Sequence, residues 1–213
     1  MAQVEKDFDL CGLERETRAS IAPSIDESQT NQIEILIQAY ESVRLRYPTV
    51  HDPDTLITEW QYAVKKYPYW RDKTWMKPRF DTVLLRYPTV VHGTTTMSNR
   101  HIARLRLLFT IHAENEESRD LAFVQLFDNR GHDKACGMFK VAKTDKYKVV
   151  ELGSIERRAH LIPCFGDVLI TEMASGKITP ALDIYNKYWI NNQIDIHMYN
   201  TIYTPDEAHS GQK

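Results

Sequence analysis

Beyond Phe80 the chain alternates between apolar and polar positions. In "RLRLLFTIH", Leu105, Leu107, Phe109 and Ile111 oppose Arg104, Arg106 and Thr110. That period of two predicts a strand with one buried face. "FDTVLLRY", "LAFVQLFD", "GMFKVAKT" and "YKVVELGSI" are further short runs of this kind. "DNRGHDKA" (128–135) reads as a loop between them and "KTDK" (143–146) as a hairpin turn. Five or more strands at such intervals predict a curled sheet or small barrel. Upstream the period lengthens. From Gln29 to about Arg46, the residues Ile33, Ile37, Tyr40 and Val43, with Leu36 beside them, fall at helical spacing, and Pro48 ends the run. "DPDTLITEWQYAVKKYP" predicts a second helix: Asp52 caps it and Pro53 suits its first turn. Its stripe is Leu56, Trp60, Ala63, Val64 and Tyr67, and Asp54, Lys65 and Lys66 complement its dipole. Helix returns in "TPALDIYNKYW", with Thr179 as cap and Ile178, Leu182, Tyr185 and Trp189 along one side. Asn191-Asn192 breaks it, and a short helix, "QIDIHMYNTIY", follows.

The pattern predicts an α+β chain with N-terminal helices, a central curled β-sheet or small barrel, and C-terminal helices. Its parts are a mobile leader (1–27), a helical segment (28–77), a β-rich domain with C-terminal helices (78–204) and a polar tail (205–213). "VRLRYPTV" (43–50) and "VLLRYPTV" (83–90) agree at seven of eight positions, 40 residues apart. Structural repeats share flanking periodicity. The first copy here follows a helical pattern and the second a strand-like one, so no solenoid is expected.

Composition places the chain among globular domains: 213 residues, 42% hydrophobic and 26% charged. No run of 18 apolar residues exists, and the first twenty residues lack the pattern of a secretory signal. The three cysteines, Cys11, Cys136 and Cys164, are dispersed, which fits a reducing, intracellular setting. The net charge of −2 conceals an uneven distribution. Residues 1–43 carry 3 basic and 9 acidic side chains, whereas 44–106 carry 12 basic and 5 acidic. A basic middle suits a nucleic-acid face, and equally an ordinary solvated surface.

"KYPYWRDKTWMKPRF" (66–80) interleaves Tyr67, Tyr69, Trp70, Trp75 and Phe80 with Lys66, Arg71, Lys73, Lys77 and Arg79. Stacking on bases and gripping phosphates uses that mixture, and so does a linker whose aromatics pack inward. Metal chemistry has one candidate set. His132 and Cys136, and His160 and Cys164, form two His-x-x-x-Cys pairs 28 residues apart, the four nitrogen and sulfur ligands of a structural zinc. Against it, residues four apart on a strand stand about 13 Å apart, and the tight Cys-x-x-Cys knuckle is missing. The chain has no Gly-x-Ser-x-Gly elbow, phosphate loop, dinucleotide fingerprint or His-Glu-x-x-His. The carboxylates of "SIDES" and "AENEES" lie in polar segments without the rigid placement that catalysis needs. No catalytic residue, cofactor or metal is therefore expected, and the chain is read as a non-enzyme.

"PRFDTVLLR" (78–86), "HIARLRLLFTI" (101–111), "DLAFVQLFD" (120–128), "YKVVELGSIERRAHLIPCFG" (147–166) and "DIYNKYWINNQIDIHMY" (183–199) follow one another in an order that carries a likeness. This succession resembles the C-terminal region of fungal Kyakuja-Dileera-Zisupton-type transposases and related transposon-encoded proteins. The resemblance covers roughly residues 78–200, and its most specific phrase runs from Ser154 through His160 to Phe165. Cys164 departs from it, standing where an aliphatic residue is expected. The acidic catalytic triad of such transposases lies upstream of this region, so the resemblance implies no catalytic residue here. The order of strands and turns is also similar to that of bromo-adjacent-homology modules, an analogy of fold alone.

The expectation is a non-catalytic, transposon-derived binding module, intracellular and nuclear, with DNA or a chromatin protein as partner and no membrane contact. The phosphate-contacting set is Lys65, Lys66, Arg71, Lys73, Lys77, Arg79, Arg104, Arg106, Arg157 and Arg158, assisted by Trp70 and Trp75. The rival readings are a protein-interaction scaffold, a small zinc-stabilised domain and a cryptic nuclease.

Overall fold

The computed structural model describes residues 12–21, 35–49, 52, 54–64, 79–86, 100–113, 117–167 and 181–203. The expected tail, most of the leader, and Lys65, Lys66, Trp70, Arg71, Lys73, Trp75 and Lys77 lie outside them. Three long strands form the frame: β6 (Arg100–Ala113), β7 (Arg119–Asp133) and β8 (Met138–Glu151). Before them come helix α1 (Leu13–Ile21) and strands β1 (Ile35–Tyr40), β2 (Ser42–Pro48), β3 (Leu56–Val64), β4 (Arg79–Phe80) and β5 (Thr82–Arg86). After them come β9 (Ile155–Arg158), β10 (Leu161–Pro163), the one-turn helix α2 (Ala181–Ile184), β11 (Lys187–Ile190) and helix α3 (Ile196–Tyr203).

The main sheet runs β10-β11-β8-β7-β6-β5-β9, with β1 also paired to β6; β2, β3 and β4 form a second sheet. Laid flat, the seven strands of that path would put β9 and β10 about 29 Å apart, at about 4.8 Å per strand. Arg158 and Leu161 are three residues apart, within about 11 Å of each other. The sheet must therefore curl until its two ends are carried by one stretch of chain. The Ala159 N–H donates to Thr82 O on one side of that corner, and the Asn191 N–H donates to His160 O on the other. The small-barrel alternative does not hold: the sheet is curled without being a closed barrel, since β9 and β10 succeed one another along the chain instead of pairing.

Bulges supply the bend, because an extra residue kinks a strand and raises its twist. The β6–β7 register shifts between Leu105 and Leu107. Leu105 consequently joins Leu108, Val83, Leu85, Ala103 and Val124 in one cluster, while Leu107, Phe109 and Ile111 join Leu13, Leu121 and Phe123 in another. The single face expected for Leu105, Leu107, Phe109 and Ile111 is split at Arg106. "KTDK" is likewise a bulge inside β8, not a turn: Lys143 pairs Phe127 and Tyr147 pairs Gln125. Thr144 Oγ1 donates to Leu126 O there, at 2.6 Å. The predicted 128–135 loop is largely strand, with Gly131 (φ 93°) and Gly137 (φ 69°) occupying left-handed conformations near the β7–β8 turn.

The two expected N-terminal helices are strands wherever they are described. In β2, half-buried Val43, Leu45 and Tyr47 alternate with exposed Arg44 and Arg46, a period of two that the helical spacing of Ile33, Ile37 and Tyr40 obscured. The leader holds an ordered helix, whose Leu13 is fully buried against β6, β7 and β8. At the other end, the helix expected over 179–189 is one turn, and Tyr188 and Ile190 enter the core from β11. The α3 helix stands where "QIDIHMYNTIY" placed it, burying Met198 and Ile202 against Leu84, Ile102 and Phe127.

Three tyrosine hydroxyls are held in surroundings that disfavour ionisation. Burial pushes Tyr47, Tyr188 and Tyr203 above their usual value, for Tyr47 with the Glu59 carboxylate adding to it. A group whose folded pKa is raised contributes stability below its unfolded value and loses it as pH rises. Alkaline titration followed by tyrosinate absorbance is expected to leave these three protonated past pH ~10, with stability falling beyond that point.

Candidate nucleic-acid interface

The β2–β3 ladder pairs Ser42 with Tyr62, Arg44 with Trp60, Arg46 with Thr58 and Pro48 with Leu56. Directly opposed residues of an antiparallel pair share a face. All eight side chains therefore lie on one side of the small sheet, and the other side carries Val43, Leu45, Tyr47, Ile57, Glu59, Gln61 and Ala63. The second set faces the main sheet: Ala63, Val43 and Leu45 pack into the cluster of Val83, Leu85 and Leu105. The first set faces outward.

The polarity of β3 is inverted relative to that arrangement. Its inward face holds Glu59 and fully buried Gln61, while its outward face exposes Leu56 and Trp60, the latter by 50%. Both amide atoms of Gln61 lack a partner within the protein. Replacing an unpaired buried amide by a side chain of similar shape removes a desolvation cost. Gln61→Leu is therefore expected to stabilise the fold by about 1 kcal/mol, read as a higher denaturation midpoint at constant slope.

Cations and rings alternate on the outward face. The Arg44 guanidinium lies 5.9 Å from the Trp60 ring centroid, and that of Arg79 lies 3.9 Å from the Tyr62 ring. Arg79 reaches this face from β4, opposite Val64. A fork fixes it, with Nε donating to Asp81 Oδ1 at 3.1 Å and Nη2 donating to Oδ2 at 3.2 Å. Asp81 is itself held, accepting the Tyr62 N–H at 3.0 Å. Arg46 completes a row of three guanidiniums, and no Asp or Glu occupies an outward position of β2 or β3. Beside Arg44 a cleft of about 290 Å³ opens between Tyr40, Ser42, Thr110 and Asp120. Thr110 Oγ1 donates to the Asp120 carboxylate inside it.

The other arginines proposed for phosphate contact are placed differently. Arg104 and Arg157 are interior, each 4% exposed. Arg104 forks onto Asp183 of α2, and Arg157 Nη2 donates to both carboxylate oxygens of Asp195 at 3.2 and 3.1 Å. A buried, paired guanidinium is not presented to a phosphate. Arg106 lies over Phe80, 4.9 Å from its ring centroid, and Arg158 is exposed at the end of β9. Of the described residues in the predicted set, only Arg79 belongs to the outward face of the small sheet. Arg44, Arg46, Trp60 and Tyr62 were missed, although the alternation "VRLRY" carried the signal.

The four candidate zinc ligands do not converge. His132 packs edge-on against Phe139, and the Cys136 Sγ lies 4.0 Å from Asp133 O. His160 meets the Asn191 amide at 3.3 Å, while the Cys164 N–H donates to Lys187 O. Among the described residues, no group of three or more His, Cys, Asp and Glu side chains is placed to hold a metal ion. Nor is any described helix long and apolar enough to cross a membrane.

No protein-family model, curated protein or solved structure matches the chain.

Proposed function

We propose that this chain is a non-catalytic nucleic-acid-binding module, with DNA as the partner and the outward face of β2, β3 and β4 as the contact surface. One observation carries the reading: Arg44 and Arg46 share an exposed strand face with Trp60 and Tyr62, no carboxylate occupies an outward position of β2 or β3, and Arg79, held by Asp81, lies over Tyr62 at its edge. Guanidiniums grip phosphates and aromatic rings stack on bases, so the face offers both without any base-specific fork. The transposon-like phrase from Ser154 to Phe165 supports a nuclear setting for it.

Counterion release supplies the test. Two arginine–phosphate contacts, those of Arg44 and Arg46, with the Arg79 charge already matched by Asp81, predict that log affinity falls against log salt with a slope of about −1.5 to −2. Fluorescence anisotropy of a labelled DNA fragment across a salt series measures it. Absence of binding at low salt would overturn the proposal.

A further inference from the structure

The same face, if it is a nucleic-acid surface as proposed above, has a geometry that selects among nucleic acids. Trp60 and Tyr62 are two residues apart on one strand, so their side chains emerge about 6.7 Å apart on the same side. Trp60 is half exposed, and the Arg79 guanidinium carbon lies 3.9 Å from the centroid of the Tyr62 ring. These make two platforms, an indole and a guanidinium backed by a phenol ring, since bases stack on either kind of plane. In a duplex the bases along one strand are about 3.4 Å apart, and each base face is covered by its neighbour. Platforms spaced at about twice that distance match bases that have been drawn apart. The asymmetry between the two internal copies points the same way. "VRLRYPTV" and "VLLRYPTV" differ only at Arg44 and Leu84. Both positions lie on strands; Leu84 is buried in the core, whereas Arg44 is exposed beside Trp60. On the small sheet the cation takes the place of a core residue, on a face turned to solvent.

We infer that the β2–β3 face binds single-stranded nucleic acid in preference to duplex, with one base stacked on Trp60 and the next on the Arg79–Tyr62 pair while Arg44 and Arg46 take the adjoining phosphates.

The test titrates the full chain with a labelled oligothymidylate of about 16 nucleotides and with a duplex of equal length, at one low salt concentration. The single strand is expected to bind at least about tenfold tighter. Trp60→Ala should weaken single-strand binding about tenfold and leave any duplex affinity within about twofold, while Trp60→Phe keeps most of the single-strand affinity. Circular dichroism and thermal melting establish that both variants fold. Equal affinities, or a preference for duplex, would overturn the single-strand inference and leave the nucleic-acid reading standing. Single-strand preference unaffected by Trp60→Ala would overturn the stacking site. Failure of both probes to bind would overturn the inference together with the reading beneath it.

Discussion

Replacing Asp195 by alanine is expected to destabilise the protein by about 3 kcal/mol or more. The carboxylate does two things at once. It accepts from Arg157 Nη2 through both oxygens, and its Oδ1 accepts the Met198 N–H at 2.6 Å, capping the first turn of α3. Loss of a cap costs about 1 kcal/mol. The larger cost arises because Arg157 is almost wholly buried and would be left as an uncompensated interior charge. Asp195 itself is partly exposed, its side chain by 38%, so solvent screens the pair from one side and the loss falls short of the fully buried extreme. Arg157→Met should cost less than Asp195→Ala, because it removes the buried charge and leaves a carboxylate that water can reach. Combined with Arg157→Met, Asp195→Ala should cost much less than alone. Urea denaturation at constant slope measures all three variants. A loss below about 1 kcal/mol for Asp195→Ala would show that neither the cap nor the ion pair holds α3 against β9.

That ion pair also explains why sequence patterning located the strands of the second half well and its arginines poorly. Alternation in β6, β7 and β8 reports burial directly, and the strands appear where Leu121, Phe123 and Val149 placed them. Charge alone does not report which face an arginine takes. Arg100, Arg104 and Arg157 each lie inside because a carboxylate distant in sequence meets them: Glu156, Asp183 and Asp195 respectively. Those partners are 56, 79 and 38 residues away, and no local window contains them.

The N-terminal half failed for the opposite reason. Its strands put the wrong polarity on each side. In β3 the inward face carries half-buried Glu59 and buried Gln61 while Leu56 and Trp60 face solvent, so a search for apolar stripes assembled Leu56, Trp60, Ala63, Val64 and Tyr67 into a helix. Local rules break at functional or strained sites more often than elsewhere. Here the break marks the outward aromatic–arginine face, together with the unpaired Gln61 amide behind it. Where the curl of the main sheet came from was equally hidden, since bulges at Arg106 and Leu126 leave no compositional trace.

Reversing two charges on that face should strongly weaken nucleic-acid binding without disturbing the fold. Arg44→Glu/Arg46→Glu removes two of the three guanidiniums and places two carboxylates where phosphates would lie. The loss is expected to exceed about a hundredfold at low salt, since each lost contact carries its own counterion release and each new carboxylate repels the backbone. The salt slope should fall from between about −1.5 and −2 to a magnitude well below about 1, since Arg79 is already matched by Asp81. Both side chains are exposed, and exposed substitutions away from caps and networks usually change stability by no more than about 0.5 kcal/mol. Arg157→Met supplies the contrast. It removes one positive charge from the chain, but an interior one already matched by Asp195, so affinity and slope should stay within about twofold of the parent. If Arg157→Met weakened binding as much as the double reversal, overall charge and not this face would govern the interaction. If neither variant changed the affinity, the contact surface would lie elsewhere on the chain.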